Sequence, residues 1–313
     1  MDQLNQTMVT FFIIKGITDV PELQVPIFLL ILLIYLLILA GNMTIVLLIC
    51  LDHHLHTPMY FFVANLSILD ISSMTAFLLK ILLIGLTGNH VMSYVSCMAQ
   101  IYFCGSFTTN ELFILTAMSY DRYVAICNPL RYTAIMNHRA CALLASVCWG
   151  LSFIELLPTI ILLAGFSCYK SNIVNHFICD ILSVVQLSCS DTSVFQLLFI
   201  VQGVAFVTLC PILSIILSYI FIIGTILRIS SSTGRRKAFY TCSSHLTVFI
   251  LLCTTVIFQY LKPITTDSLV YNKLLSLVNT ATVPMFNPLI YSLKNKDMKS
   301  SVKRKLNLCS GKK

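Results

Sequence analysis

The sequence predicts an all-α membrane protein: a seven-transmembrane helix bundle with a short amphipathic helix after the last span. Three observations predict it. Of 313 residues, only 10% are charged and 58% are hydrophobic, where a soluble domain carries about 25% charged residues. Mean hydropathy is +0.89. The apolar residues form long unbroken runs, not the alternation of a membrane barrel, so helices are left as the structure that satisfies every backbone group in lipid. This composition excludes a soluble enzyme, a disordered chain, a coiled coil and a nucleic-acid binder. The net charge of +8 does not restore the last, because the basic residues lie on no soluble domain.

A spanning helix needs about 20 mostly apolar residues. Leu23 to Leu51 holds no Asp, Glu, Lys or Arg and is the first span. Pro58 to Gly85 is apolar apart from Asp70 and Lys80. The polar turn Thr87-Gly88-Asn89-His90 separates it from the third span, Cys97 to Ile126. Ala140 to Ala164 is interrupted only by Glu155. Thr192 to Leu227, Ala238 to Leu261 and Leu274 to Leu293 complete the seven. The expected division is an N-terminal tail at 1–25, a transmembrane domain at 26–293 and a tail with its amphipathic helix at 294–313. In that tail Met298, Val302 and Leu306 recur every four residues among basic residues, which suits the anionic inner leaflet and makes lipids a partner.

Lys and Arg set the orientation. With the N-terminus outside, 15 of the 20 fall on inner segments, from Arg122 and Arg131 to the tail. The other five, Lys15, Lys80, Lys170, Lys262 and Lys273, fall outside. The chain is therefore expected in the plasma membrane with its N-terminus extracellular. Of three N-x-S/T sequons, those at Asn42 and Asn65 lie inside spans. Asn5 is the expected glycan acceptor.

Four of the 13 cysteines, Cys97, Cys168, Cys179 and Cys189, fall on the outer side. Four cysteines in an oxidising compartment suggest two disulfides with three pairings open; zinc ligation is the competing reading. The remaining cysteines lie mostly in spans or at the inner face and read as small core residues or reduced thiols.

Five strings at span ends carry more than composition does. Leu55-His56-Thr57-Pro58-Met59-Tyr60-Phe61-Phe62 opens the second span, and Met118-Ser119-Tyr120-Asp121-Arg122-Tyr123-Val124-Ala125-Ile126-Cys127 closes the third. Ser218-Tyr219 lies late in the fifth. Lys237-Ala238-Phe239-Tyr240-Thr241-Cys242-Ser243-Ser244-His245 opens the sixth, and Pro284-Met285-Phe286-Asn287-Pro288-Leu289-Ile290-Tyr291-Ser292 closes the seventh. Together they resemble an odorant receptor of the rhodopsin-like G-protein-coupled family, over about residues 5 to 305. The resemblance implies a receptor, not an enzyme. It would bind a small odorous molecule among the outer halves of its helices, activate a stimulatory olfactory G protein and raise cyclic AMP in olfactory cilia. It also implies disulfides Cys97–Cys179 and Cys168–Cys189.

The residues support particular chemistry. Arg122 at the inner end of the third span is costly unless paired, and adjacent Asp121 can hold it. Helix separation would free the guanidinium for a partner, with Tyr219 and Tyr291 offering hydroxyls to it. The plain alternative is an Arg snorkelling to lipid phosphates. Asp70 lies about 18 Å above the start of the second span, and Glu111 about 16 Å above Arg122, so both fall near mid-membrane. Two close carboxylates cannot both stay ionised without a cation or proton. With Asn287 they form an expected ion site, sodium being its candidate occupant and no organic cofactor being expected. Cys104 and Thr108 share the helical face of Glu111 and Arg122, one to two turns further out. By similar depth Gly203, Val207, Val256, Ile257, Tyr260, Leu277 and Thr280 complete an apolar wall with a few hydroxyls, suited to a small, mostly apolar ligand. Glu155 faces either this cavity or a neighbouring helix. The rival reading is a seven-span transporter or channel, which requires a polar pathway through the bilayer; only three acidic residues fall within the spans.

Overall fold

The computed structural model describes residues 9–18, 20–260, 269–293 and 296–309. Within them, seven long helical segments form the bundle. They are α1 (Pro21–Leu51), α2 (Pro58–Thr87), α3 (Tyr94–Cys127), α5 (His138–Ala164), the composite segment Ser193–Arg228, α9 (Ser232–Tyr260) and α10 (Leu269–Leu293). Short helices α4 (Tyr132–Ile135) and α6 (Ile181–Leu187) lie in connections, and α11 (Lys296–Cys309) follows the bundle. The composite segment is α7 (Ser193–Ile200), a π-helical stretch (Val201–Leu209) and α8 (Cys210–Arg228). Among the described residues, α1, α2, α5 and Ser193–Arg228 are long and apolar enough to cross a bilayer. Helix α3 is long enough but more polar, because it sits at the centre. Half of its 34 residues are buried against α2, α5, α8 and α9, so its polar groups meet protein instead of lipid.

Local chemistry sets the helix ends. Pro21 and Pro58 occupy first-turn positions, where their missing N–H is no loss. Ser93 caps α3 by accepting from Ser96 N at 3.1 Å, and Asn137 caps α5 by accepting from Ala140 N at 3.0 Å. Gly88, at φ 67°, ends α2 in the left-handed region that glycine adopts without steric cost. Helix α1 begins at Pro21, two residues before the expected first span, and α9 and α10 extend beyond their uncharged runs.

The departure from an all-helical chain is a three-stranded sheet at one end of the bundle. Strand β1 (Phe11–Ile14) pairs antiparallel with β2 (Val91–Ser93) and parallel with β3 (Ile173–Val174). The segment expected as a tail is thus strapped between two connections, with Phe12 and Ile14 fully buried. At the opposite end α11 docks on the turn after α1. Arg304 pairs with Asp52 at 2.5 Å, and Lys305 Nζ donates to Leu51 O at 3.0 Å. Met298 is buried and Val302 half-buried, as the four-residue repeat predicts; the Leu306 side chain lies outside the described residues.

Helices α1 and α10 close on each other at a proline. Pro288 has no N–H to give the carbonyl of Pro284, four residues back. Asn42, fully buried, supplies the missing donor: its Nδ2 bonds Pro284 O at 3.0 Å. Beside it, a Cβ on Gly41 would lie 3.1 Å from Pro288 Cβ, so the approach depends on glycine there.

Candidate functional site

Three groups of residues meet along the bundle, from the sheet end to the Arg122 end. The first is a cavity of about 180 Å³ between α2, α3, α5, the π-helical stretch, α9 and α10. An engineered cavity of about 150 Å³ admits benzene, so this one suits a small molecule. Of the nine residues expected there, Cys104, Thr108, Gly203, Val207 and Thr280 line it. Leu277 does not; it packs with Ile31 and Ile38 of α1 and Met74 and Leu78 of α2. Equal depth does not mean equal direction on a helix, and of the two it is Thr280, three residues on, that faces the cavity. The side chains of Val256, Ile257 and Tyr260 lie outside the described residues.

Depth counting on the third, fifth, sixth and seventh spans missed the contributions of α2, of the loop and of α5 apart from Glu155, for which the sequence leaves the cavity as one of two readings. Ser73, Met74 and Phe77 line the cavity from α2, and Glu155, Leu156 and Thr159 from α5. The segment Ile178 to Leu182 roofs it. That roof is held by a disulfide between Cys97 and Cys179, with Cα atoms 5.4 Å apart. Gln100, one turn along α3, receives Cys179 N on its Oε1 at 2.9 Å and donates its Nε2 to Ala76 O at 2.9 Å. A second disulfide joins Cys168 to Cys189. Both pairings are those the family resemblance implied, and neither zinc nor another pairing of these four cysteines is compatible with them.

The π-helical stretch shapes the wall. Its extra residue per turn rotates Gln202, Gly203, Val207 and Thr208 onto the cavity. Thr208 Oγ1 bonds Gly203 O, five residues back, at 2.7 Å. Gln202 Nε2 donates to Glu155 O at 2.9 Å, and Thr159 donates to Gln202 Oε1, so one amide fastens this stretch to α5.

The second group lies deeper. Asn287 Nδ2 donates to Asp70 Oδ2 at 2.9 Å, and Glu111 sits beside both. Asp70 and Asn287 are each 1% exposed. Asp70 Oδ1, Asn287 Oδ1 and Glu111 Oε1 are buried without a hydrogen-bond partner. Three acceptor oxygens with no donor are costly to bury. Their chemistry fits a hard cation such as sodium, which takes oxygen ligands, or a shared proton.

The third group is at the far end of α3. Asp121 is fully buried and accepts from Arg122 Nε at 2.9 Å, from Arg122 Nη2, and from the Tyr132 hydroxyl at 2.8 Å. Tyr132 belongs to α4, outside the spans. Burial, then the neighbouring Asp121 carboxylate, push its hydroxyl pKa up, so it stays a donor. Tyr219 spends its hydroxyl on groups other than Arg122: it lies 2.8 Å from His245 Nδ1 and 3.1 Å from Cys242 O. His245 Nε2 is 2.9 Å from Leu115 O, a carbonyl that can only accept. The proton of a neutral His245 therefore sits on Nε2, and its Nδ1 shares the single Tyr219 hydroxyl proton with Cys242 O. His245, quoted above only as part of a string, is the residue that ties α3, α8 and α9 together here. The Tyr291 hydroxyl is buried without a partner.

The sequence matches the olfactory receptor family model over residues 31–308. It is 44% identical over 299 residues to human olfactory receptor 6C74, covering 96% of each chain. Mouse olfactory receptor 8G50 is 44% identical over 301 residues, again covering 96% of each. Human olfactory receptor 2AP1 is 43% identical over 309 residues, 97% of this chain and 99% of that receptor. These proteins are receptors and not enzymes, and the same holds for a multi-pass helical chain that matches them nearly end to end. A family model across most of the sequence, full-length relatives and the seven-helix bundle agree: the chain belongs to the olfactory receptor family.

Proposed function

We propose that this chain binds a small, mostly apolar odorant in the cavity between its helices and activates a stimulatory, olfactory-type G protein, raising cyclic AMP. The observation that carries the reading is the separation of two sites on one helix. Cys104 and Thr108 of α3 line the cavity, while Asp121 and Arg122 of the same helix sit at the opposite end. A ligand at one end can act on a partner at the other only by favouring one arrangement of the helices between them. The test is an odorant panel read by a cyclic AMP reporter, with and without the G protein. A ligand-dependent current in cells lacking the G protein would favour the seven-span channel or transporter instead.

The receptor body is taken as residues 26–293, with the sheet end outside and 294–313 in the cytoplasm, in the plasma membrane of olfactory cilia. Asn5, the glycan acceptor in this orientation, lies outside the described residues. Asn5→Gln is expected to lower the gel mass by one glycan and Asn65→Gln to leave it unchanged. Asn65 already donates to Phe61 O at 2.9 Å and accepts from Trp149 Nε1 at 3.2 Å within the bundle. A mass change at Asn65, or none at Asn5, would count against the orientation.

Asp70, Glu111 and Asn287 are read as a sodium site that steadies the resting bundle. Their three orphaned acceptor oxygens support it. Replacing sodium by a bulky organic cation should raise wild-type basal cyclic AMP by about twofold or more. Glu111→Gln, with one carboxylate left, should make basal output indifferent to the replacement. Wild-type basal output that ignores sodium would leave the three residues a structural cluster.

A further inference from the structure

The cavity is acidic in a way that an apolar odorant does not require. Three carboxylates line it, from Glu111, Glu155 and Asp180, and among the described lining residues there is no Lys, Arg or His. Asp180 is occupied in part as the cap of α6, accepting from Ser183 N at 3.3 Å. Each of the other two keeps one carboxylate oxygen with no donor. Glu111 is 8% exposed, and its Oε1 has no hydrogen-bond partner. Glu155 Oε2 is also buried without one. The nearest amide does not serve it: Gln202 spends its Nε2 on the Glu155 backbone carbonyl and its Oε1 on Thr159. Asp52 and Asp121 are paired with cations, Arg304 and Arg122, while Asp70 and Glu111 share the one amide of Asn287. Around the acids the wall is apolar, with Phe77, Leu156, Phe199 and Leu252.

We infer that the cavity takes a small aliphatic amine, its ammonium held by the Glu155 carboxylate with Glu111 lining the same chamber and its hydrocarbon against the apolar wall. The inference rests on the receptor reading above and narrows its ligand to one chemical class. An ammonium supplies donors and positive charge, the two things the orphaned Glu155 oxygen lacks. A neutral hydroxyl supplies one donor and no charge, and a ketone supplies neither. Hydrogen bonds to a charged group favour the amine over its neutral isostere by roughly 10- to 100-fold.

The test compares n-hexylamine, 1-hexanol and 2-heptanone on cells expressing the receptor with a cyclic AMP reporter. Thermal stabilisation of the detergent-purified receptor by each compound serves as a readout free of G protein. The half-maximal concentration of the amine should be at least about tenfold below that of the alcohol. Glu155→Gln, which keeps the shape and removes the charge, should erase that preference while leaving the alcohol's value within about threefold; Glu155→Asp should retain part of it. Should Glu155→Gln fail to reach the surface, the wild-type comparison and the Asp variant decide alone. Equal potency of amine and alcohol, an amine preference that survives Glu155→Gln, or an amine that neither signals nor stabilises would each overturn the inference. A receptor that answers neutral odorants and no amine loses this inference and keeps the receptor reading; one that answers no member of a broad panel loses both.

Discussion

Cys97→Ser and Cys179→Ser are expected to abolish the odorant response to the same degree, with surface receptor falling by about 90% or more. The pair closes a separation of 82 residues, and a cross-link of that span removes about 4–5 kcal/mol of unfolded-chain entropy. It also holds the roof. Cys179 itself lines the cavity, flanked by Ile178 and Asp180 to Leu182. Without the bond, the Cys179 N to Gln100 Oε1 hydrogen bond and apolar packing are left to hold that segment on α3, and one hydrogen bond contributes about 1 kcal/mol net. Cys168→Ser should cost less. Its bond closes 21 residues, worth about 3 kcal/mol on the same account. Cys189 N still bonds Cys168 O at 3.0 Å, and neither cysteine lines the cavity. Surface labelling and dose–response curves on the three variants check the order. A Cys97→Ser receptor that behaves like wild type, or a Cys168→Ser receptor damaged more than it, would contradict this account of the roof.

What the sequence made legible follows from the range of each signal. Uncharged runs of 20 or more residues mark spans because bilayer thickness is a local constraint, and the long helices follow them. Helical spacing placed Cys104 and Thr108 on the face of Glu111, and the cavity lies there. Strand β1 was not legible. Phe11–Ile14 is four apolar residues whose partners lie about 80 and 160 positions away, and nothing local names a partner. The π-helical stretch was equally silent. Val201–Leu209 is almost wholly apolar, so its periodicity cannot report an extra residue per turn. Leu277 shows the limit of depth as a guide. Thr280 is one turn away and differs from it in direction, which only the neighbouring helices decide. Glu155 reads from sequence as facing the cavity or a neighbouring helix, and it lines the cavity; Gln202 carries the same signal unread. Each is a polar residue in an apolar span, and such residues face protein or a cavity, not lipid.

Arg122→Ala is expected to reach the surface at half the wild-type level or better and to lose about 90% or more of its cyclic AMP response. The reasoning starts with what the substitution leaves behind. Asp121 is fully buried and keeps the Tyr132 hydroxyl at 2.8 Å as a donor. It lies at the end of α3, where water can replace the guanidinium, so folding should survive. The loss falls on signalling. In this arrangement Arg122 is spent on Asp121, Tyr219 is spent on His245 and the Cys242 carbonyl, and the Tyr291 hydroxyl has no partner. Moving α9 away from α3 would break the His245–Leu115 contact and free Tyr219 to meet a released Arg122, opening a cleft for the G protein. That arrangement needs a long cation with several donors, and alanine offers none. Tyr132→Phe removes one donor from Asp121 but leaves the cation, so its response should stay within about threefold of wild type. Surface labelling beside cyclic AMP curves separates the two effects. An Arg122→Ala receptor with normal output would show that the guanidinium only anchors α3 at the lipid phosphates. A Tyr132→Phe receptor as silent as Arg122→Ala would move the function from the cation to the hydrogen-bonded Asp121.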